Sequence, residues 1–333
     1  MTRVISFTKN GNNLNHMLCK QMQFHGFSVL DDERLTKCNL KDWVAEGFEK
    51  KQCMVFIGAA GIAVRSIAPF VKDKLTDPAV IVIDEKGEFV IPILSGHVGG
   101  GNAIAKELSQ AIRATAVITT ATDVNNLFAV DTFAVFNNLI IKEREVAKKI
   151  SAEILNGKEI GFYSEIELKG KIPENLTQKE NGYLGFAISI YKKNRFEETL
   201  HLVPKAVVLG IGCKKGKLVE KIEQAVFNAL NEYNIDILSV AEVATIDIKK
   251  NEKGLIDFCK KMNIKLRCFS AEELKKVEGS FTQSDFVKKT TGVDNVCERA
   301  AVLSSSGKLI IKKTMGDGVT VAAALRSVGA EFE

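Results

Sequence analysis

The stretch ILSGHVGGGNAIAKELSQAI, residues 93–112, joins an apolar run to a helical pattern through a glycine-rich turn that also contains a histidine. Ile104, Leu108 and Ile112 recur at intervals of four residues and predict one apolar stripe on a helix. A strand, a glycine turn and a helix in this order are typical of an α/β layer domain. Free backbone N–H groups at the helix start also favour an anionic ligand. The stretch therefore predicts the fold class and, at its turn, a binding site.

Further strands are predicted on both sides of this stretch. Short apolar runs occur at CMVFIG (53–58), AVIVID (79–84), EFVIPIL (88–94) and TAVITT (115–120). A KG turn between the second and third runs indicates a β-hairpin. We therefore expect residues 1–135 to form one α/β module.

A second module of this kind is predicted to begin at KAVVLGIGCKKGKLVEKIEQAVFNAL, residues 205–230. Its pattern indicates a strand at 206–209, a glycine turn at 210–216 and a helix thereafter. Residues 136–203 combine a charged helix with polar loops and short strands, which is typical of a small α+β region. The expected fold is two α/β three-layer, Rossmann-like modules, 1–135 and 204–333, joined by an α+β middle region at 136–203.

Composition excludes several classes of protein. The net charge of +5 is spread along 333 residues, which argues against a nucleic-acid-binding arm but suits a small acidic ligand. We find neither a long apolar run nor a secretory signal, so we expect a cytoplasmic protein with no membrane partner. The seven cysteines contain no CxxC pair, which predicts reduced thiols and no metal cluster. The sequence leaves a homodimer open.

Three strand-to-helix turns are candidate ligand sites. They are Gly58 to Arg65, Ser95 to Asn102, and Gly210 to Gly216. Helix starts of this kind attract anions, and ligands of open α/β sheets bind at the carboxyl ends of strands. Each turn could instead be only a tight corner.

The third and first turns each have a structural alternative. The third turn lacks the GxGxxG spacing, which weakens a nucleotide-binding interpretation, and Cys213 is either a nucleophile or a small core residue. In the first turn, Arg65 is positioned to hold a carboxylate, and the alternative is a surface ion pair with a residue such as Asp73.

His97 and Asp123 are the candidate catalytic residues. His97 lies between glycines instead of bulky apolar neighbours, which favours a functional role over a core histidine. Asp123 follows the predicted strand 115–120, so its carboxylate is expected at the same sheet edge, where it could orient the imidazole. The alternative is that Asp123 caps the segment VNNLF.

Several motifs together resemble one family. GAAGIAVRSIAPF, KLTDPAV, LSGHVGGGN and TTATD in the first half, with LGIGCKKG, ATIDIK, TGVDNVCERAA and GVTVAAA in the second, resemble the cobalamin biosynthesis protein G family (CbiG). This family comprises the cobalt-precorrin-5A hydrolases of the anaerobic vitamin B12 pathway. The resemblance implies a cobalt-tetrapyrrole substrate whose δ-lactone is opened by water with release of acetaldehyde. It implies no separate cofactor, because the cobalt ion is part of the substrate.

The resemblance does not identify the base, and the position of His97 in its glycine-rich turn leads us to expect it to act as general base with Asp123 beside it. The expected substrate-binding residues are Gly58, Gly61, Arg65, Ser95, Gly96, Gly99, Gly100, Gly101, Asn102, Thr119, Thr120, Gly210, Gly212, Cys213 and Lys214. Two alternatives remain: a tetrapyrrole carrier without catalysis, and an enzyme that binds phosphate or nucleotide at the turns.

Overall fold

The computed structural model describes residues 2–29, 39–73, 76–96, 99–125 and 127–332. The chain divides into two compact units, Met1–Thr132 and Phe133–Glu333. No helix in the described part of the chain is long and apolar enough to cross a membrane.

The first unit contains one six-stranded sheet. Its strands are β1 (Thr2–Ser6), β2 (His25–Ser28), β3 (Cys53–Ile57), β4 (Val80–Ile83), β5 (Phe89–Leu94) and β6 (Thr115–Ala116), in the order β2-β1-β3-β4-β5-β6. Its helices are α1 (Lys9–Met22), α2 (Asn39–Glu49), α3 (Ala60–Ile67), α4 (Gly101–Ile112) and α5 (Ala121–Val124), and α6 (Val130–Phe136) follows at the boundary with the second unit.

Alternation along β3 explains why this sheet is covered on both faces. Val55 and Ile57 pack with Leu18 of α1 and Leu108 of α4. Met54 and Phe56 point to the opposite face and pack with residues of α2 and α3. Because successive strand residues face opposite sides, the continuous apolar run supplies both cores. The first unit is therefore the three-layer α/β module that the sequence predicts.

One strand reverses the direction of the sheet. Strands β1 to β4 are parallel to one another, whereas β5 runs antiparallel to β4, with Val80 opposite Leu94 and Ile83 opposite Val90. The predicted hairpin is thus confirmed, and Gly87 supplies the positive φ of 73° that its turn requires. As a result, the carboxyl end of β5 lies at the edge where β3 and β4 begin.

The second unit contains two five-stranded sheets. The middle sheet has the order β10-β8-β11-β12-β7, and the carboxyl-terminal sheet has the order β15-β14-β13-β17-β16. The middle elements are β7 (Leu139–Ile141), α7 (Arg144–Leu155), β8 (Ile160–Ser164), β9 (Glu167–Lys169), β10 (Leu176–Gln178), β11 (Leu184–Ile188) and β12 (Glu198–Pro204). The remaining elements are β13 (Val207–Cys213), α8 (Val219–Glu232), β14 (Val240–Ile246), α9 (Lys253–Lys261), β15 (Lys265–Phe269), α10 (Ala271–Lys275), α11 (Asp285–Thr291), α12 (Cys297–Ser305), β16 (Lys308–Gly316), β17 (Val319–Leu325) and β18 (Gly329–Glu331).

The carboxyl-terminal sheet is also covered on both faces. Leu209 and Ile211 of β13 pack with residues of α8 and α9, whereas Val208 packs with Ala300 of α12 on the other face. Strands β13, β14 and β15 are parallel, and the β16–β17 hairpin adds two antiparallel strands beside β13. This part of the chain is the second three-layer α/β arrangement.

Strand β18 returns from the carboxyl-terminal sheet to the middle region. It pairs in parallel with β9, and Phe332 just beyond it stacks on Phe133 at a ring-centroid distance of 4.9 Å. Phe332 also meets the edge of Phe162 at 5.8 Å and is 4% exposed. A hydrogen-bonded ion pair at 2.7 Å joins Lys142 to Asp236, which is 3% exposed. These contacts make the middle and carboxyl-terminal sheets parts of one unit.

Candidate functional site

The turn after β5 forms a tight loop in front of α4. Ser95 has a φ of 51°, in the left-handed region, and Gly100 has a φ of 73° at the N-cap of α4. The N–H groups of Gly101 and Asn102 donate to the carbonyls of Ser95 and Gly96, at 3.2 and 2.8 Å. The predicted catalytic residue His97 lies outside the described residues, so its role stays a prediction.

Close packing within the loop explains most of its glycines. A Cβ atom at Gly96 would lie 2.5 Å from Oδ1 of Asn102, and one at Gly99 would lie 2.7 Å from the carbonyl oxygen of Ser95. A Cβ atom at Gly101 would lie 3.2 Å from the same carbonyl. Only at Gly100 is the space open, and there the positive φ favours glycine. The tight-corner interpretation therefore accounts for three of these four glycines.

Asn102 connects this loop to the segment after β6. Its side-chain Nδ2 donates to Oγ1 of Thr120 at 3.0 Å and to Oδ2 of Asp123 at 2.9 Å. Asn102 is 5% exposed, whereas the Asp123 side chain is 23% exposed and so remains accessible to a ligand. Lys106 approaches the other Asp123 oxygen at 3.8 Å. The structure thus brings Asp123 to the turn that contains the predicted base, and Asn102 positions it.

The segment around Asp123 differs from the prediction in two details. Strand β6 covers only Thr115–Ala116, because it is an edge strand whose pairing with β5 ends at Ala116. Thr119 is therefore an exposed loop residue. Asp123 lies inside α5, whose N-cap is Thr120, so the alternative in which Asp123 caps the following segment is wrong.

The first turn lies at the opposite edge of the sheet. Because β5 is antiparallel to β3 and β4, the turn after β3 lies near the start of β5, away from the Ser95 loop. A strand of five residues separates the two edges by about 15 Å. The structure therefore does not bring Gly58, Gly61 and Arg65 together with Asp123.

Arg65 folds back over the start of its own helix. A Cβ atom at Gly61 would lie 3.4 Å from Nη1 and 3.6 Å from Nη2 of Arg65, so the guanidinium covers the first turn of α3. This helix has neither an acidic residue in its first turn nor a side-chain cap. Arg65 forms no ion pair with Asp73 or another described residue, and its role in binding a carboxylate stays a prediction. The exposed guanidinium and the helix start are both available to an anion.

A second helix start shares this edge, and the sequence patterns did not identify it. Helix α1 begins after β1, the neighbour of β3, and Thr8 caps it by accepting a 3.1 Å hydrogen bond from the Gly11 N–H. Strand order reverses between β1 and β3, and ligands of open α/β sheets bind at such switch points. Lys9 is exposed there. The segment TKNGN, residues 8–12, has no glycine-rich motif, so only the sheet topology identifies the start of α1 as a candidate ligand site.

The predicted bounds of the third turn, residues 210–216, are partly wrong. Gly210 and Gly212 lie inside β13 and pair with Ala322 and Thr320 of β17. A Cβ atom at Gly210 would lie 1.7 Å from the carbonyl oxygen of Cys297, so glycine is needed for close packing of α12. Gly210 and Gly212 therefore have packing roles and do not offer a turn to an anion.

The turn that follows β13, residues 214–218, already binds a carboxylate of the protein itself. Glu252 accepts a 2.7 Å hydrogen bond from the Gly216 N–H and pairs with Lys249 at 3.0 Å. Burial alone would raise the pKa of Glu252, but the hydrogen bonds from Lys249 and from the Gly216 backbone outweigh burial and lower it. The main chain of this turn is therefore occupied, and only its side chains remain for a ligand.

The surroundings of Cys213 favour its protonated thiol. Burial raises its pKa, against an opposing effect of the nearby Lys249 charge. Burial also raises the pKa of Cys297 to about 11. A thiolate is the nucleophilic form of cysteine, so this environment favours the core interpretation of Cys213. Lys214 is exposed beside it.

Family comparison covers all three regions of the chain. The model for the cobalamin synthesis G N-terminal region matches residues 42–123, that for the cobalamin biosynthesis central region matches 128–204, and that for the cobalamin synthesis G C-terminus matches 207–324. The chain belongs to the cobalamin synthesis G family. Its N-terminal region contains Arg65, His97 and Asp123, whereas Lys9 lies outside the matched residues.

Relatives in this family align over most of the chain. A cobalt-precorrin-5A hydrolase of Salmonella typhimurium is 36% identical over 83% of this chain and 82% of its own. A cobalt-precorrin-5A hydrolase of Priestia megaterium is 35% identical over 84% and 79%. A probable cobalt-precorrin-5A hydrolase of Methanocaldococcus jannaschii is 30% identical over 98% of this chain and 100% of its own. The similarity therefore extends through both units.

Proposed function

We propose that this chain is a cobalt-precorrin-5A hydrolase that acts on a carbon–carbon bond in anaerobic cobalamin biosynthesis. The observation that carries the proposal is the 36% identity, over 83% of the chain, to a relative with that name. The described site supports it, because an accessible carboxylate is held beside a glycine-rich loop by a buried amide. No resident cofactor is required, since the cobalt ion enters with the substrate.

The reaction needs water, a base and a place for negative charge. Water adds to the lactone carbonyl, the ring C–O bond breaks, and a carboxylate and a free hydroxyl result. Loss of the hydroxyl proton then forms the carbonyl of acetaldehyde while the C–C bond to the macrocycle breaks and its electron pair returns to the ring. Both steps move a proton, so one general base near the lactone can serve each of them in turn.

Asp123 and His97 are proposed for these proton transfers. Asn102 fixes the Asp123 carboxylate through its Nδ2 group and is itself held by the Gly96 carbonyl. We propose that His97 receives the proton and that Asp123 orients and stabilises the imidazolium. Ser95 and the loop N–H groups other than those of Gly101 and Asn102, which donate within the loop, would face the oxyanion that forms at the lactone carbon.

The proposal is tested by acetaldehyde release. Purified protein is mixed with cobalt-precorrin-5A, and acetaldehyde is measured by coupled reduction while the corrinoid product is identified by mass. Wild-type protein should release one acetaldehyde for each lactone opened. If the substrate binds but neither acetaldehyde nor the opened product appears, the chain is a carrier and the proposal fails.

A further inference from the structure

Three large apolar side chains are exposed at one edge of the carboxyl-terminal sheet. Leu218 is 66% exposed, Ile248 is 60% exposed and Met315 is 76% exposed. Clustered exposed apolar side chains are typical of binding surfaces, whereas isolated ones need no explanation. Their shared position in the fold is therefore the first point to establish.

The topology places these three residues around the ends of neighbouring strands. Leu218 is the N-cap of α8, which follows β13, and Ile248 belongs to the short 3-10 helix that follows β14. Met315 lies near the end of β16, opposite Thr320, whose strand β17 pairs with β13. A 2.6 Å ion pair between Lys221 and Asp317 ties the β16–β17 turn to α8. All three apolar residues thus belong to the edge at which β13 and β14 end, with Leu218 at the start of α8 on one face of the sheet and Met315 on the face that α12 covers, so a ligand that contacts them all would lie across this edge.

Two lysines accompany them. A Cβ atom at Gly318 would lie 3.0 Å from Cδ of Lys214 and 3.2 Å from Cε of Lys217, so both side chains run along the β16–β17 turn. Neither ammonium group forms a salt bridge with a described residue. Since Glu252 occupies the main-chain N–H group of Gly216, any anion at this edge would be held by these side chains.

We propose that Leu218, Ile248 and Met315 with Lys214 and Lys217 form a tetrapyrrole-binding surface. Its apolar side chains contact the flat face of the macrocycle, and its two ammonium groups hold carboxylate arms at the rim. The combination of apolar surface and unpaired positive charge is complementary to a planar ring that carries peripheral carboxylates. This inference rests on the proposed function, because that function supplies such a ring as substrate.

Binding of uroporphyrin, a planar tetrapyrrole with carboxylate arms, tests the surface directly. Its fluorescence is titrated with wild-type protein, with the double variant Leu218→Ser/Met315→Ser and with Lys214→Gln/Lys217→Gln. We expect Kd to rise at least about tenfold in each double variant, and added salt to weaken wild-type binding more than binding by the lysine variant. Lys308→Gln at the other end of β16 and Leu155→Ser on α7 are matched controls that should leave Kd unchanged.

Several outcomes would overturn the inference. It fails if wild-type protein does not bind uroporphyrin, or if Kd is unchanged in both double variants while circular dichroism shows them folded. It also fails if the serine variant changes only the oligomeric state in sedimentation experiments, because the surface would then bind a second copy of the chain.

The acetaldehyde assay separates this inference from the proposed function. If wild-type protein releases acetaldehyde and the variants keep its KM, the function stands and the surface is wrong. If no protein releases acetaldehyde but the variants lose uroporphyrin binding, the function is wrong and the surface stands.

Discussion

Replacement of Asp123 by asparagine tests the centre of the proposed site. The carboxylate accepts a 2.9 Å hydrogen bond from buried Asn102, and an asparagine oxygen can accept the same bond, so the loop should keep its structure. The pair with Lys106 is long, at 3.8 Å, and the lysine side chain is 59% exposed. Its loss should therefore cost about 0 to 1 kcal/mol of unfolding free energy. Stability is expected to change little.

The effect on catalysis should be much larger. If Asp123 orients the base or stabilises its charged form, Asp123→Asn should lower kcat by about 10² to 10⁴. Acetaldehyde release at saturating substrate gives kcat, and urea unfolding gives stability. Lys106→Gln is the control, since it removes the ion pair and keeps the carboxylate. Full kcat in Asp123→Asn, or an equal loss in Lys106→Gln, would refute the reasoning.

Three further predictions concern other parts of the chain. Arg65→Lys keeps the charge but loses the guanidinium fork, so uroporphyrin affinity should fall, with a shallower salt dependence and unchanged stability; equal affinities would return Arg65 to a surface role. Gly210→Ala should cost about 1 to 3 kcal/mol in urea unfolding, because its methyl group would overlap the Cys297 carbonyl; an unchanged midpoint would contradict the packing argument. Asp236→Asn should cost about 1 to 3 kcal/mol at pH 7, because the mutation leaves Lys142 without its partner. Although burial tends to raise the pKa of Asp236, the hydrogen bond from Lys142 lowers it overall, so this stabilisation is complete above the unfolded pKa of about 3.9 and disappears as pH falls through the folded pKa. Urea unfolding at pH 7 and pH 3 should show the difference from wild type shrinking, and a constant difference would disprove the assignment.

Local patterns predicted strands such as β3, β4, β5 and β13 and helices such as α4 and α8, because alternation and helical periodicity depend on neighbours in sequence. The buried run of β3 and the hairpin turn at Gly87 were both evident before the fold was known. The approach of Asp123 to the Ser95 loop was also predicted, because β5 and β6 are parallel neighbours. The strand and turn predictions required only short-range information, whereas the prediction for Asp123 also required β5 and β6 to belong to one sheet.

The predictions that were wrong or incomplete share a different physical cause. Glycine is selected for positive φ or for close approach of another segment, and the sequence does not say which. Gly210 lacks a positive φ and packs against Cys297, far along the chain. Glu252 likewise reaches Gly216 across 36 residues. The hairpin predicts the antiparallel direction of β5, but the separation of Arg65 from Asp123 also depends on the parallel pairing of β3 with β4, which single segments do not contain.

The return of β18 to the middle region has a consequence for synthesis on the ribosome. Translation is vectorial, and domains generally fold as units with the amino-terminal one first. The first unit has all its residues once position 132 has emerged, whereas Phe133 and Phe162, which both also contact Phe186, lack the Phe332 ring until the end of the chain is made. A nascent chain halted before β18 would leave the side of those rings that Phe332 covers accessible to chaperones and proteases. Recognition of this protein by chaperones and proteases is therefore expected to depend on whether residues 329–332 are packed in place, although these residues are far in sequence from the candidate catalytic loop.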